Sequence, residues 1–330
     1  MAILVTGGAG YIGSHTVRLL AERGEDVVVL DNLETGYRDA VLGADLVVGD
    51  TRDRALVSRI LAERNVDAVV HFAADKAQGE SMKDPGKYFD NNVAGALALL
   101  QAMDHAGVRN FVFSSTCAVY GTPSAVPVDE SHPLDPESPY GESKRMVEQM
   151  LHWYDVCRGL RSVSLRYFNA AGASFDARIG EDWALSTNLI PVAMKAACHR
   201  GGPLQIFGDD YPTPDGTGIR DYIHVIDLAD AHARALDYLA PGGATTILNL
   251  GTGVGSSVLE IVTALEKVTS QPVPAVRSPR RPGDPTAVWA DNTLARKVLG
   301  WEPRYGLEAI VETAWKWHST HLDGYRSEPG

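Results

Sequence analysis

Residues 2–31, AILVTGGAGYIGSHTVRLLAERGEDVVVLD, constrain the fold of this chain more than any other stretch. Ile3 to Val5 is an apolar run that stops at a glycine cluster. Ile12, Leu19 and Leu20 then recur at helical spacing up to Gly24, a C-cap residue, and Val27 to Leu30 is a second apolar run closed by Asp31. The pattern predicts strand, glycine turn, helix, strand, acid. Gly7 lets the chain turn tightly out of the first strand. Gly10 removes a side chain so that the backbone can approach a pyrophosphate, and Gly13 lets the helix pack close to the sheet. The free N–H groups at the helix start, at the positive end of its dipole, hold phosphates. A carboxylate at Asp31 can accept both ribose hydroxyls of an adenosine and would repel a 2′-phosphate, so the unit predicts NAD over NADP. Gly8, Gly10 and Gly13 also satisfy GxGxxG, which means little alone; the flanking strand, helix and acid give it weight. The alternative is a glycine-rich turn in an ordinary βα unit.

The same rhythm continues. Leu46 to Val48, Ala68 to Phe72 and Phe111 to Phe113 read as strands, separated by helices over 53–64 and from Pro85 to Gly107. Alternating strands and helices predict right-handed βαβ units and a parallel sheet, with ligands beyond the carboxyl ends of its strands. The residues at those ends are Gly7 to Gly13, Asp31-Asn32, Asp50-Thr51, Phe72-Ala73-Ala74 and Ser114-Ser115-Thr116. Each alone reads as a turn. Their recurrence at successive strand ends is what points to a site.

Composition narrows the function. A formal charge of −12 argues against a nucleic-acid partner, which needs clustered Lys and Arg, and against an anionic membrane surface. Cys117, Cys157 and Cys198 are widely spaced and lack metal-ligand spacing, so no metal is expected and they read as free thiols in a reducing cytosol. The first strand starts by the third residue, so no signal peptide is expected ahead of it, and no apolar run reaches the length of a membrane span. A cytoplasmic location follows as the expectation.

Residues 121–139 hold five prolines and read as a loop, ending at SPYGESK with Ser138 as an N-cap. Tyr140 and Lys144 are four apart and share one face of the helix that follows. A free tyrosine titrates near about 10. An ammonium on the same face and a positive nicotinamide ring would favour the phenolate, and the Thr116 hydroxyl can share a substrate proton. A YxxxK spacing is common by chance. Here Lys144 is the only lysine between Lys87 and Lys195, and it follows the strand ending in Ser-Ser-Thr.

The glycine pattern, the SST run and YxxxK together resemble the extended short-chain dehydrogenase/reductase superfamily. Within it the chain is similar to the UDP-hexose 4-epimerase family, whose members interconvert UDP-galactose and UDP-glucose. The resemblance spans nearly the whole chain. It rests on HFAADKAQGES from 71, YFDNNVAGALALL from 88, FSSTCAVYG from 113, LRYFNAAGA from 165, IFGDDYPTPDGTGIRDYIHV from 206 and RRPGDP from 280. It implies that Tyr140 is the base and acid, that Lys144 binds the nicotinamide ribose and lowers the tyrosine pKa, and that Thr116 holds the 4-hydroxyl. It also implies that Tyr11, Ile12, Asp31, Asn32, Asp50, Thr51, Lys76, Asn91, Tyr167 and Phe168 line an NAD site. Asn169, Asn188, Leu189, Gln205, Phe207, Arg220, Arg281 and Asp284 would hold the UDP-sugar. The two arginines suit a diphosphate, because guanidinium donates in a fork; the alternative is a surface ion pair, such as Arg220 with Asp221. The implied reaction removes the 4-hydroxyl proton and the C4 hydride, turns the 4-keto sugar over and returns the hydride to its other face. A homodimer through helices around 90–105 and 141–157 is implied as well.

Two positions depart from the pattern or vary within it. Many members have serine where this chain has Thr116; the hydroxyl survives on a stiffer side chain. The position four after Asp284, which in the resembled enzymes borders the sugar's C2 substituent, is Val288, and valine leaves room for an N-acetyl group where tyrosine would not. The bland reading of Val288 is a core-facing strand residue beside Trp289. Cys117 reads as a small packing residue.

The expected architecture is an α/β fold: a Rossmann-like parallel sheet flanked by helices over residues 1–169, with a returning segment around 219–250, and a smaller α/β substrate lobe over 170–330. In that lobe, helices are expected over 188–200, 226–239 and 258–268, and a strand over 246–250. GTGVGSS lacks the lysine of a P-loop and reads as a turn into a helix, and Pro272 to Pro285 reads as a loop. The rival reactions are 4,6-dehydration, which in relatives uses Asp-Glu after the threonine where this chain has Cys117-Ala118, and epimerisation or decarboxylation of UDP-glucuronate. A rival of another class is an NAD-binding regulatory protein without catalysis, against which the intact Tyr140 and Lys144 weigh.

Overall fold

The structure is a computed structural model that describes residues 1–184, 186–281 and 283–325. Pro282 of the RRPGDP block lies outside them. The strands in chain order are β1 (Ala2–Thr6), β2 (Asp26–Asp31), β3 (Asp45–Val48), β4 (Ala68–His71), β5 (Asn110–Ser114), β6 (Arg161–Tyr167), β7 (Asn169–Ala171), β8 (Leu204–Phe207), β9 (Ile219–Arg220), β10 (Tyr222–His224), β11 (Thr246–Leu250), β12 (Ser256–Ser257), β13 (Ala275–Ser278) and β14 (Ala287–Val288). The helices are α1 (Tyr11–Glu22), α2 (Arg54–Glu63), α3 (Gln78–Ser81), α4 (Pro85–Tyr88), α5 (Gly95–Ala106), α6 (Pro139–Arg158), α7 (Leu189–Ala197), α8 (Val225–Leu239), α9 (Val258–Thr269), α10 (Thr293–Leu299) and α11 (Leu307–Thr320).

Seven strands form one parallel sheet in the order β11-β6-β5-β4-β1-β2-β3. Both faces are covered, which is why these strands are continuous apolar runs rather than alternating ones. Ile3, Val5, Val27 and Val29 pack with α1 and α8 on one face, while Leu4, Val28 and Leu30 pack with α2, α5 and α6 on the other. From β1 the chain winds outward through β2 and β3, then returns to β4 on the opposite side of β1. That reversal leaves a crevice over the carboxyl ends of β1 and β4, where ligands bind in such sheets.

A second core gathers α7, α9 and α11 around Trp183, Ile190, Leu204, Ile261 and Ile310. Its small sheets are β12-β9-β14, β13-β8 and β10-β7. The stretch from Pro272 to Pro285 is not wholly loop: β13 pairs in parallel with β8, Ala275 to Leu204 through Ser278 to Phe207. Prolines at 272, 274 and 279 hid this strand. They are tolerated because β13 pairs on one side only. The GTGVGSS run leads through β12 into α9, whose start carries a capping box between Ser257 and Glu260.

Candidate active site

The crevice opens into a cavity of about 370 Å3. Its floor is the glycine turn. Gly7 has φ +72, and a Cβ there would lie 2.5 Å from the Ala73 backbone nitrogen, so only glycine lets the two strand ends meet. A Cβ on Gly13 would fall 2.2 Å from the Gly7 carbonyl oxygen, so α1 packs against its own turn. α1 begins after Gly10 with no side chain capping its first N–H groups and no acid in its first turn, which suits a diphosphate. The Asp31 carboxylate is aimed by two backbone donors, the N–H of Ala9 and of Leu33, each at 2.9 Å. Burial pushes its pKa up and these two bonds oppose the shift. All of this fits a dinucleotide whose adenosine ribose meets Asp31.

Every cofactor residue expected from the sequence lines this cavity except Phe168: Gly7, Gly10, Tyr11, Ile12, Gly13, Asp31, Asn32, Asp50, Thr51, Phe72, Ala73, Ala74, Lys76, Asn91, Ser114, Tyr140, Lys144 and Tyr167. Phe168 instead packs in a small core with Val119, Tyr120, Val128, Val288 and Ala290, because the strand alternation at the end of β6 turns it away from Tyr167. Sequence reasoning missed Glu34, Thr35, Tyr37, Asp75, Lys87, Glu181, Asp182 and Tyr325, which also line the cavity. Asp75 adjoins Lys76 and could have been suspected. The others have no local pattern.

At the inner end, α6 presents Tyr140 and Lys144 on one face. Ser138 caps the helix by accepting from the Gly141 N–H at 3.2 Å, and Pro139 occupies its first turn. Lys144 Nζ donates to the Ser114 carbonyl at 2.9 Å, which ties the helix to the end of β5. Burial lowers the Lys144 pKa to about 7, with Glu148 one turn further on pulling it back up. Burial pushes the Tyr140 phenol up, a nearby Tyr167 adds to this, and a hydrogen bond from Thr116 opposes it. Behind this face lies a buried ion pair: Arg166 donates to both oxygens of Glu148, at 2.9 and 2.6 Å, and Ser115 Oγ donates to the same carboxylate at 2.6 Å. β5, β6 and α6 are thereby held in one register. Burial raises the Cys117 thiol to about 12, so it is a packing group and not a nucleophile.

The helix expected from Pro85 to Gly107 contains a π turn over Phe89–Ala94. It places two consecutive asparagines usefully. Asn91 donates to Asp75 Oδ2 at 2.9 Å; Asn92 accepts from the Asp75 N–H at 2.8 Å and donates to Ser143 Oγ at 3.0 Å. Such turns concentrate at functional sites.

The expected sugar residues fall in two groups. Asn188 lines the cavity and donates to Glu181 Oε1 at 2.8 Å, as do Ser186 at 2.9 Å and Lys76 at 3.3 Å; Leu189 opens α7 beside it. Asn169, Gln205, Phe207, Arg220, Arg281, Asp284 and Val288 lie outside that lining. Arg220 pairs with Asp284 and not with Asp221. Asp221 is buried and spent on Thr252 Oγ1, at 2.6 Å, and the N–H groups of Thr252, Gly253 and Ala290, while its own carbonyl accepts from Asn169 Nδ2 at 3.0 Å. Val288 sits opposite Arg220 in the β14–β9 ladder. Arg281 lies over the Phe207 ring at 3.8 Å, and Gln205 accepts from Ser278 Oγ at 2.6 Å. Val288 is 8% exposed and packs in the same small core as Phe168. Among the described residues no group of His, Cys, Asp and Glu could hold a metal, and no helix is long and apolar enough to cross a membrane.

The sequence profile of the NAD dependent epimerase/dehydratase family matches residues 3–251. The chain belongs to that family. It is 52% identical over 327 residues to a UDP-glucose 4-epimerase of Lacticaseibacillus casei, covering 98% of this chain and 99% of that one. A Rhizobium meliloti UDP-glucose 4-epimerase is 53% identical over 322 residues, covering 98% of each. Among solved structures, the Brucella ovis UDP-glucose 4-epimerase in complex with NAD superposes with a TM-score of 0.94 at 48% identity, covering 96% of this chain and 97% of that one. The UDP-Glc/GlcNAc 4-epimerase of Campylobacter jejuni does so with 0.85 at 40% identity, covering 97% and 99%.

Proposed function

We propose that this protein interconverts UDP-glucose and UDP-galactose by reversible epimerisation at C4 through a 4-keto intermediate. The observation that carries the reading is Tyr140 and Lys144 on one face of α6, fixed to the end of β5 at the inner end of a dinucleotide-shaped cavity. NAD, when bound, supplies the acceptor and donor for the C4 hydride. The chain's own part is proton handling and grip. Tyr140 takes the proton of the 4-hydroxyl and returns it; Lys144 favours its anion, and Thr116 shares the proton through its hydrogen bond to Tyr140. Arg220 and Arg281 meet the diphosphate, with Asn169, Asn188, Leu189, Gln205, Phe207 and Asp284 around the nucleotide and sugar. A dehydratase would need two further proton-transfer groups after Thr116, and Cys117 and Ala118 do not provide them.

Residues 1–169 with the segment around 219–250 form the NAD-binding part, and 170–330 the UDP-sugar lobe. Trp153 and Val156 on α6 are 61% and 63% exposed, and Leu97 on α5 adds to the same apolar character. These support a homodimer through α5 and α6. A cytoplasmic location agrees with three free cysteines.

The same reading extends to the UDP-N-acetylhexosamine pair. Val288 stands opposite Arg220 in the β14–β9 ladder and is smaller than the tyrosine that in the resembled enzymes closes the pocket against an N-acetyl group. The resemblance to the Campylobacter enzyme supports this. The test compares both sugar pairs on the wild type and on Val288→Tyr. The wild type should turn over all four sugars, and the variant should lose the acetylated pair by about tenfold or more while keeping UDP-galactose. A wild type inert toward UDP-N-acetylglucosamine, or a variant that handles it equally well, contradicts the extension.

A further inference from the structure

Beyond α11, Tyr325 lines the cavity. Its ring stacks on Tyr37, with centroids 4.6 Å apart and planes at 23°, and leans on Trp317 at 4.9 Å. Its hydroxyl accepts from the Gly180 N–H at 3.0 Å and donates to the Gly180 carbonyl at 2.9 Å. Gly324, just before it, has φ +73, a conformation that favours glycine, and lies against the Asp182 carboxylate.

The three things Tyr325 touches belong to different parts of the molecule. Tyr37 ends the turn that begins at Asp31, and its N–H donates to the Ala9 carbonyl of the glycine loop at 3.0 Å. Gly180 precedes Glu181, the carboxylate on which Lys76, Ser186 and Asn188 converge. Trp317 belongs to α11. The resulting cluster of Tyr37, Ala40 and Ile179, with Leu42 and Tyr325 against it, is separate from the cores of both lobes. Small satellite clusters open at lower cost than a domain core.

Resting on the reading of this cavity as the NAD site, we propose that Tyr325 is a clasp that retains NAD between turnovers. It joins the loop around the adenosine end to the opposite wall, and it must release before the dinucleotide can leave. The reaction regenerates its cofactor in every cycle, so a clasp slows exit without slowing turnover.

The test uses the holoenzyme. NAD release is followed by chase with labelled NAD, and kcat for UDP-galactose is measured at saturating NAD, for Tyr325→Ala, Tyr325→Phe and Asp31→Ala. Tyr325→Ala should release NAD about tenfold faster or more, from lost stacking and two lost hydrogen bonds. Tyr325→Phe should show a smaller rise, and kcat should stay within about twofold in both. If the alanine variant does not fold, the phenylalanine variant decides by the same criterion. Wild-type release rates in the Tyr325 variants overturn the clasp. If Asp31→Ala loses NAD at the same time, the cavity reading stands without it; if Asp31→Ala also retains NAD, both fall. A drop in kcat at saturating NAD with unchanged release shows a structural role and overturns the clasp as well.

Discussion

At the residue scale, the proposed chemistry depends on hydroxyls held where a proton must move. Thr116 is placed by the end of β5 and bonds Tyr140, while its own Oγ1 accepts from the Ala118 N–H at 3.2 Å. Thr116→Ser should keep near-wild-type kcat. Thr116→Val preserves shape without the hydroxyl and should lose about a hundredfold in kcat, the usual scale for a positioned proton-transfer partner. Steady-state kinetics on UDP-galactose checks this, and a fully active valine form would reduce Thr116 to packing. The position of Tyr140, Lys144, Asp31 and the glycines at the cavity was legible because each sits at a fixed offset from a strand end or helix start. Glu181 was not, because its meaning lies in gathering Lys76 and Asn188 from distant parts of the chain.

At the element scale, α6 is a helix with a charge problem. It carries Lys144 into a site so dry that the ammonium's pKa falls to about 7. In the unfolded chain the same lysine titrates near about 10.4. Between these values the unfolded state binds more protons, so this group makes folding stability rise with pH; at and below neutrality its burial costs on the order of a few kcal/mol. Without cofactor, Lys144→Met should therefore be more stable than the wild type at pH 7, and the gap should close as pH rises from about 7 toward 10.5. Urea unfolding across that range measures it; a gap that widens with pH contradicts the assignment. α6 itself was readable from Ser138, Pro139 and the spacing of its inner face. The π turn at Phe89–Ala94 was not, since Val93, Leu97 and Leu100 show the period of one uninterrupted helix. β13 was hidden by its flanking prolines for a similar reason: local chemistry said loop, and pairing with β8 decided otherwise.

At the scale of the whole molecule, the sheet order creates the cavity. The reversal between β3 and β4 sets two strand ends apart, and the second lobe brings its own residues over that opening, through Tyr11 Oη donating to the Gly172 carbonyl at 2.6 Å and through Asn188 and Glu181. The parallel sheet could be read from apolar runs alternating with helices. The approach of the second lobe could not, because the contacts that set it, such as Asp221 with Thr252 and Ala290, join residues far apart in sequence. These parts form a C4 epimerase that is proposed to keep its cofactor and to move protons through Tyr140. The direct measurement is conversion of UDP-galactose to UDP-glucose by the purified holoenzyme with no NAD added, on the wild type and on Tyr140→Phe. The wild type should approach the same sugar ratio from either side, while the phenylalanine variant retains NAD and loses at least about a hundredfold in rate. No conversion by the NAD-loaded wild type, or near-normal turnover by Tyr140→Phe, would contradict it.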